Sequence, residues 1–336
     1  MTSIDGVCMP GKSSLAKNSA ANRSSKAIVP EDSPKTKEKD KLFGAKAMGI
    51  TVDRHSLTTE AFTEGHYVPQ LALRMLEFNK KDKLFNLKGI ALGNPTLDFT
   101  TDFDSVADYL WSHGLITDST FEELTSSCTY SQFMKEYTRK NLSLVCEIVI
   151  THFENELNIF NISDLLYGVT FDQCVSLSES QPFANQLDVC ILNETSEYLN
   201  RKDVQKALHA RLFGVGGWVN CYNSNVEVPT VPILGTLISS GIRVLVYSGD
   251  QDAQVPLIGT RKVINVLANQ LALNTTSPYT TWFENKQVAG WTQVFGGVLS
   301  FATIRGASHR APFTSPERSL AMFISFLEGK PLHAEN

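Results

Sequence analysis

Large apolar residues are sparse over the first 58 positions and frequent from Gly65 onward. The stretch from Asn18 to Lys46 is rich in Ser, Lys, Ala, Pro and Glu. Such a stretch buries too little surface to offset its ordering entropy, so residues 1–58 are expected to be a disordered N-terminal segment. Over His66 to Phe78 the apolar positions Val68, Leu71, Leu73, Met75, Leu76 and Phe78 fall roughly on one helical side. Leu87 to Leu92 is a short apolar run closed by Gly93-Asn94-Pro95, which reads as a buried strand and a turn. Val52 to Thr59 shows no comparable run, and no strand is expected there.

Residues 98 to about 200 read as helices and loops. A helix is expected over Leu199 to Ala210, with Asn200 as its N-cap. From position 241 strands and helices alternate again. Ile242 to Tyr247 is a buried-type strand, and Leu257 to Leu273 a helix. Thr281 to Ile304 is a β-meander with turns at Glu284-Asn285-Lys286 and Gly296-Gly297. Ser315, followed by Pro316, predicts the N-cap of a last helix running to about Leu327. The fold class is therefore α/β: a mostly parallel central sheet flanked by helices, with a helical insertion over about 98–200.

With 336 residues, 42% of them hydrophobic and 19% charged, the chain is long enough for one large domain plus a tail. A net charge of −5 argues against a nucleic-acid partner. No apolar run reaches the ~18 residues of a membrane span, and the first residues lack the apolar core of a secretory signal. Five of the six cysteines lie between 128 and 221, none in a CxxC pair, so a zinc site is not expected. Sequons stand at Asn22, Asn141, Asn161, Asn193 and Asn274. Cysteines and sequons together point to a secretory ancestry, in conflict with the missing signal.

In open α/β sheets, functional groups sit on loops after the C-terminal ends of strands. Asp252 follows the strand over 242–247, and His309 follows the strand over 299–304. Acid before histidine is the chain order of an α/β-hydrolase triad. An acid so placed holds the imidazole in its useful tautomer, and the imidazole then deprotonates a nucleophile. Taken singly, an Asp in a turn or a His in a loop is more often merely polar.

Several longer segments sharpen this picture: GHYVPQLA at 65–72, LKGIALGNP at 87–95, YLNRKDVQKALHA at 198–210, RVLVYSGDQD at 243–252, KQVAGWTQV at 286–294 and FATIRGASHRAP at 301–312. On them the chain resembles plant serine carboxypeptidase-like proteins, peptidase family S10, from Gly65 to about residue 331. The resemblance implies a truncated α/β-hydrolase domain over 65–331, with Asp252 as triad acid and His309 as triad base. It implies disulfides Cys128–Cys146 and Cys174–Cys190 and an orphaned Cys221, while the sequons make Asn141, Asn161, Asn193 and Asn274 glycosylation candidates. The implied substrates are the C-termini of peptides or proteins. No cofactor or metal is implied; the family is secreted or vacuolar and includes dimers.

The family's GESYAGHY segment corresponds to Glu60-Ala61-Phe62-Thr63-Glu64-Gly65-His66-Tyr67. The nucleophile position is Phe62, and a phenyl ring has no nucleophilic atom. Glu60 and Glu64 stand where the strained elbow needs small residues, and Ala61 replaces the glutamate that binds the substrate carboxylate. The N-terminal strands, the nucleophile elbow and a GGPG-type oxyanion segment are expected to be missing. The strands over 87–92 and 242–247 are then expected to lose neighbours, leaving an aggregation-prone fold. The family reading is thus a serine carboxypeptidase inactive as written. Three alternatives stay open: an acyltransferase-type relative, a non-catalytic remnant that binds a partner, and an intact enzyme whose first 64 residues are wrongly joined.

Overall fold

The computed structural model describes residues 51–53, 56–60, 64–157, 191–208 and 226–332. The chain divides into two units. One comprises residues 1–48 and 172–222, the other 49–171 and 223–336. In the first unit the described residues form helices α6 (Ile191–Asn200) and α7 (Lys202–Ala207). Asn200, expected to cap the second, instead ends the first, with Nδ2 donating to the Ser196 carbonyl at 2.9 Å. Arg201 takes the cap position and makes no side-chain cap bond.

The second unit is built on one sheet. Its strands are β1 (Thr51–Asp53), β2 (Ser56–Glu60), β3 (Gly89–Gly93), β4 (Arg243–Gly249), β5 (Thr275–Glu284), β6 (Gln287–Phe295) and β7 (Leu299–Ile304), in spatial order β1-β2-β3-β4-β7-β6-β5. The four central strands β2, β3, β4 and β7 run parallel, and antiparallel pairs close both edges. β3 and β4 read as continuous apolar runs because both of their faces are covered.

Two expectations from the sequence do not hold. Residues 52–59 do hold strands: β2 pairs with β3 from Ser56↔Gly89 to Glu60↔Gly93. A ladder is made by backbone N–H and C=O groups, so an available strand edge recruits a sequence without an apolar run. The bare edges expected at 87–92 and 242–247 are also not there. β3 lies between β2 and β4, and β4 between β3 and β7.

Both faces of the sheet are covered. On one, α1 (Glu64–Asn79), α8 (Val231–Ser239) and α9 (Leu257–Gln270) pack Val68, Leu234 and Ile264 against Ile90, Val244 and Phe301. On the other, α11 (Pro316–Glu328) packs Met322 and Phe326 against Ala91, Leu245 and Ala302. Ser315 does not cap α11 with its side chain, as had been expected.

Four helices, α2 (Phe99–Ser112), α3 (Asp118–Ser126), α4 (Tyr130–Thr138) and α5 (Leu144–Leu157), follow β3 and share a second core. Asp98, Thr117 and Thr129 cap α2, α3 and α4 with side-chain oxygens, each accepting a backbone N–H of the first turn. The buried Cys128–Cys146 disulfide ties the end of α3 to α5 across 18 residues. The pair Cys174–Cys190 and Cys221 lie outside the described residues. Helix α2 also packs on α9 through Gly259, where a Cβ would come within 2.7 Å of Ser105 Oγ.

At this junction Asp102 is buried, and its Oδ2 accepts the N–H groups of Leu97 at 2.7 Å and Asp98 at 2.9 Å. Burial pushes its carboxyl up to about 7, against those two hydrogen bonds and with a smaller push from the Asp98 charge. The folded chain therefore keeps a proton that the unfolded chain releases from the ordinary carboxyl range upward. The group's contribution to stability falls as pH rises toward about 7 and is flat beyond, a loss on the order of 4 kcal/mol. Asp102→Asn should flatten the fall in melting temperature between pH 4 and 7; an unchanged slope would assign that fall elsewhere. Replacing Cys128 and Cys146 together by Ala should lower unfolding free energy by about 3 kcal/mol, read by urea denaturation under oxidising conditions.

Candidate functional site

Two strand ends meet to form the site. β4 delivers Gly249 to Asp252, and the neighbouring β7 delivers Arg305 to His309. Backbone and side-chain bonds stitch the two loops together. The N–H of Asp250 donates to the Ile304 carbonyl at 3.2 Å, and that of Gln251 to the Ala307 carbonyl at 2.9 Å. Asp250 Oδ1 accepts the Gly306 N–H at 2.7 Å. The approach needs glycine at 249, where any Cβ would collide with the carbonyl oxygens of Ala307 and Ser308.

The seam brings together the acid and the base proposed from chain order. His309 Nδ1 lies 2.9 Å from Asp252 Oδ2, with both side chains buried. A carboxylate only accepts, so Nδ1 carries the proton. Asp252 has no exposed surface. An ionised carboxylate at such a depth persists only when its lone pairs are occupied. Its Oδ1 accepts the N–H groups of Gln254 at 2.8 Å and Val255 at 3.1 Å. Its Oδ2 also accepts Asn94 Nδ2 at 2.6 Å. On the His309 side, the Ser308 N–H donates to Thr314 Oγ1 at 2.9 Å, fastening the loop to α10 (Ala311–Thr314).

Asn94 was not singled out from sequence, where it reads as part of a Gly-Asn-Pro turn. It stands at the C-terminal end of β3, the same sheet edge that carries both other groups, and that position was the available signal. Its φ of 47° is left-handed, a conformation Asn tolerates better than most residues. Tyr109 of α2 is a second unannounced neighbour. It is buried, and its pKa is raised by burial first and then by the negative charges of Asp252 and Asp250.

The remaining predicted positions fare differently. Phe62 lies outside the described residues, between β2 and α1. Just beyond it, His66 is buried with Nε2 2.9 Å from the Val228 carbonyl, and burial holds its pKa below the usual value. Asn141 and Asn274 are exposed; Asn161 and the side chain of Asn193 lie outside the description. Among the described residues no group of three or more His, Cys, Asp or Glu side chains is arranged to hold a metal ion, and no helix is long and apolar enough to cross a membrane.

The sequence profile of the serine carboxypeptidase family matches residues 53–329. The chain is 52% identical over 292 residues to serine carboxypeptidase-like 45 of Arabidopsis thaliana, an alignment covering 83% of this chain and 62% of that protein. To serine carboxypeptidase-like 46 of the same plant it is 49% identical over 294 residues, again covering 83% and 62%. The chain thus spans less than two thirds of the length of these relatives. The fold is similar to that of Kex1, a prohormone-processing carboxypeptidase of Saccharomyces cerevisiae, with a TM-score of 0.61 at 18% identity over 90% of this chain and 66% of that one. The profile match begins upstream of Gly65, so β2 and Phe62 fall inside the family-matched region.

Gly249→Ala should force the two loops apart. A loss of roughly 1–3 kcal/mol in unfolding free energy is expected, as for other overpacked positions, read by guanidinium denaturation. A neutral outcome would mean that the loops have room the geometry does not show.

Proposed function

Because the chain belongs to the serine carboxypeptidase family, peptidase S10, we propose that Asp252 and His309 are the acid and base of that family's site and that this chain does not form an acyl-enzyme. The 2.9 Å contact of His309 Nδ1 with Asp252 Oδ2, inside a fully bonded carboxylate shell, carries the first half of the reading. Phe62 at the nucleophile position carries the second.

The chemistry follows from which atoms are available. In acyl transfer, Nε2 of the base takes the hydroxyl proton of a nucleophile as its oxygen attacks the carbonyl carbon of the scissile bond. Asp252 would orient the ring and stabilise the imidazolium that results. The phenyl ring of Phe62 supplies neither an attacking lone pair nor a proton to transfer. Hydrolysis of a peptide's last bond and transfer of an acyl group from an ester both pass through that covalent step, so the same substitution removes both. Ala61 in place of a carboxylate-binding glutamate further weakens recognition of a peptide C-terminus. Glu60 and Glu64, where the elbow needs small residues, argue that a serine at 62 alone does not rebuild it. The relay is then a retained structural pair within a non-acylating member of the family.

The test is release of the C-terminal amino acid from an N-blocked dipeptide by the purified chain, across pH 4 to 7. The rate should not exceed that of His309→Ala, and Phe62→Ser should not raise it. Turnover that His309→Ala abolishes would make this chain a working carboxypeptidase and overturn the proposal.

A further inference from the structure

The amide of Asn94 is oriented by its surroundings. The Gly249 N–H, which only donates, faces Asn94 Oδ1 at 3.4 Å, leaving Nδ2 to face the Asp252 carboxylate at 2.6 Å. The backbone of Asn94 is pinned as well, its N–H donating to the Tyr247 carbonyl at 2.7 Å across the β3–β4 seam. Asn94 is fully buried and lies 158 residues from Asp252 in sequence, so the contact is a product of the fold rather than of a local turn.

The placement of donors around Asp252 is uneven. Oδ1 is held by two N–H groups of its own loop, which fix that oxygen to β4's C-terminal turn. Oδ2, the oxygen facing His309, also accepts Asn94 Nδ2, from the residue just past the end of the neighbouring strand β3. Charge-assisted bonds of this kind are short and directional, so they set the angle at which the carboxylate meets the imidazole.

We propose that Asn94 is a positioning residue for the Asp252–His309 pair: its amide fixes Asp252 Oδ2 in the orientation that receives His309 Nδ1–H. This rests on the reading of Asp252 and His309 as an acid–base pair. A side chain just past the end of β3 thereby links the ends of three parallel strands, β3, β4 and β7, into one site.

The readout is proton NMR of the full chain with 15N-labelled histidine and asparagine. A buried ring N–H donated to a carboxylate resonates far downfield and exchanges slowly with water. Asn94→Gly accepts the left-handed backbone and removes only the amide. It should shift that His309 resonance and speed its exchange roughly tenfold, the loss expected for one bond to a charged group. Asp252→Asn in the otherwise unmodified chain separates the two ideas. If the resonance survives that change, the acid–base reading itself fails. If Asp252→Asn abolishes the resonance and Asn94→Gly leaves it unmoved, the role of Asn94 alone is overturned. Should Asn94→Gly not fold, the unmodified protein decides: one Asn94 amide proton should be downfield and slow to exchange, and should move in Asp252→Asn. An Asn94 amide that exchanges as fast as an exposed one would also overturn the proposal.

Discussion

A carboxylate with no exposed surface must have its oxygens occupied, and the site is arranged around meeting that requirement for Asp252. Two donors come from its own turn, one from the end of β3 and one from the imidazole delivered by β7. Each donor depends on a different part of the fold. The turn needs β4 to end at Gly249, the Asn94 amide needs β3 beside β4, and the imidazole needs the 305–309 loop pressed onto Gly249 without a Cβ between them. Removing a partner from such a group costs more than the bond was worth, because a buried charge is left uncompensated. The pair is therefore maintained by the packing of the sheet, whether or not chemistry is performed there.

That point gives the Asp252–His309 contact a structural role of its own. Asp252 and His309 contribute to the closure of the two loops, and Asp250, Gln251 and Ser308 contribute bonds on either side of them. The pair thus has structural work in a buried seam. The strand β2 tells a similar story: it holds its place beside β3 although its side chains, unlike those of β3 and β4, form no apolar run.

The sequence was legible where a side-chain pattern and a structural demand coincide. β3, β4 and β7 are doubly covered strands, and their apolar runs announced them. The positions of Asp252 and His309 after β4 and β7 were legible because strand-end position is a property of sequence. β2 was missed because backbone pairing leaves no mark on side-chain pattern. Asn94 was missed because its partner is 158 residues away, and a Gly-Asn-Pro turn is a sufficient local explanation for an asparagine. The caps at Asn200 and Ser315 were misjudged for the same reason, residue type being only a preference until the chain direction around it is known.

The central claim is that this chain keeps the acid–base pair of its family without a residue able to be acylated. The direct measurement is the intact mass of the purified, folded chain after incubation with an excess of a fluorophosphonate, a reagent that phosphonylates activated serines and leaves an adduct. The account predicts an unchanged mass. A single adduct, lost in His309→Ala, would contradict it and reveal a nucleophile elsewhere in the chain.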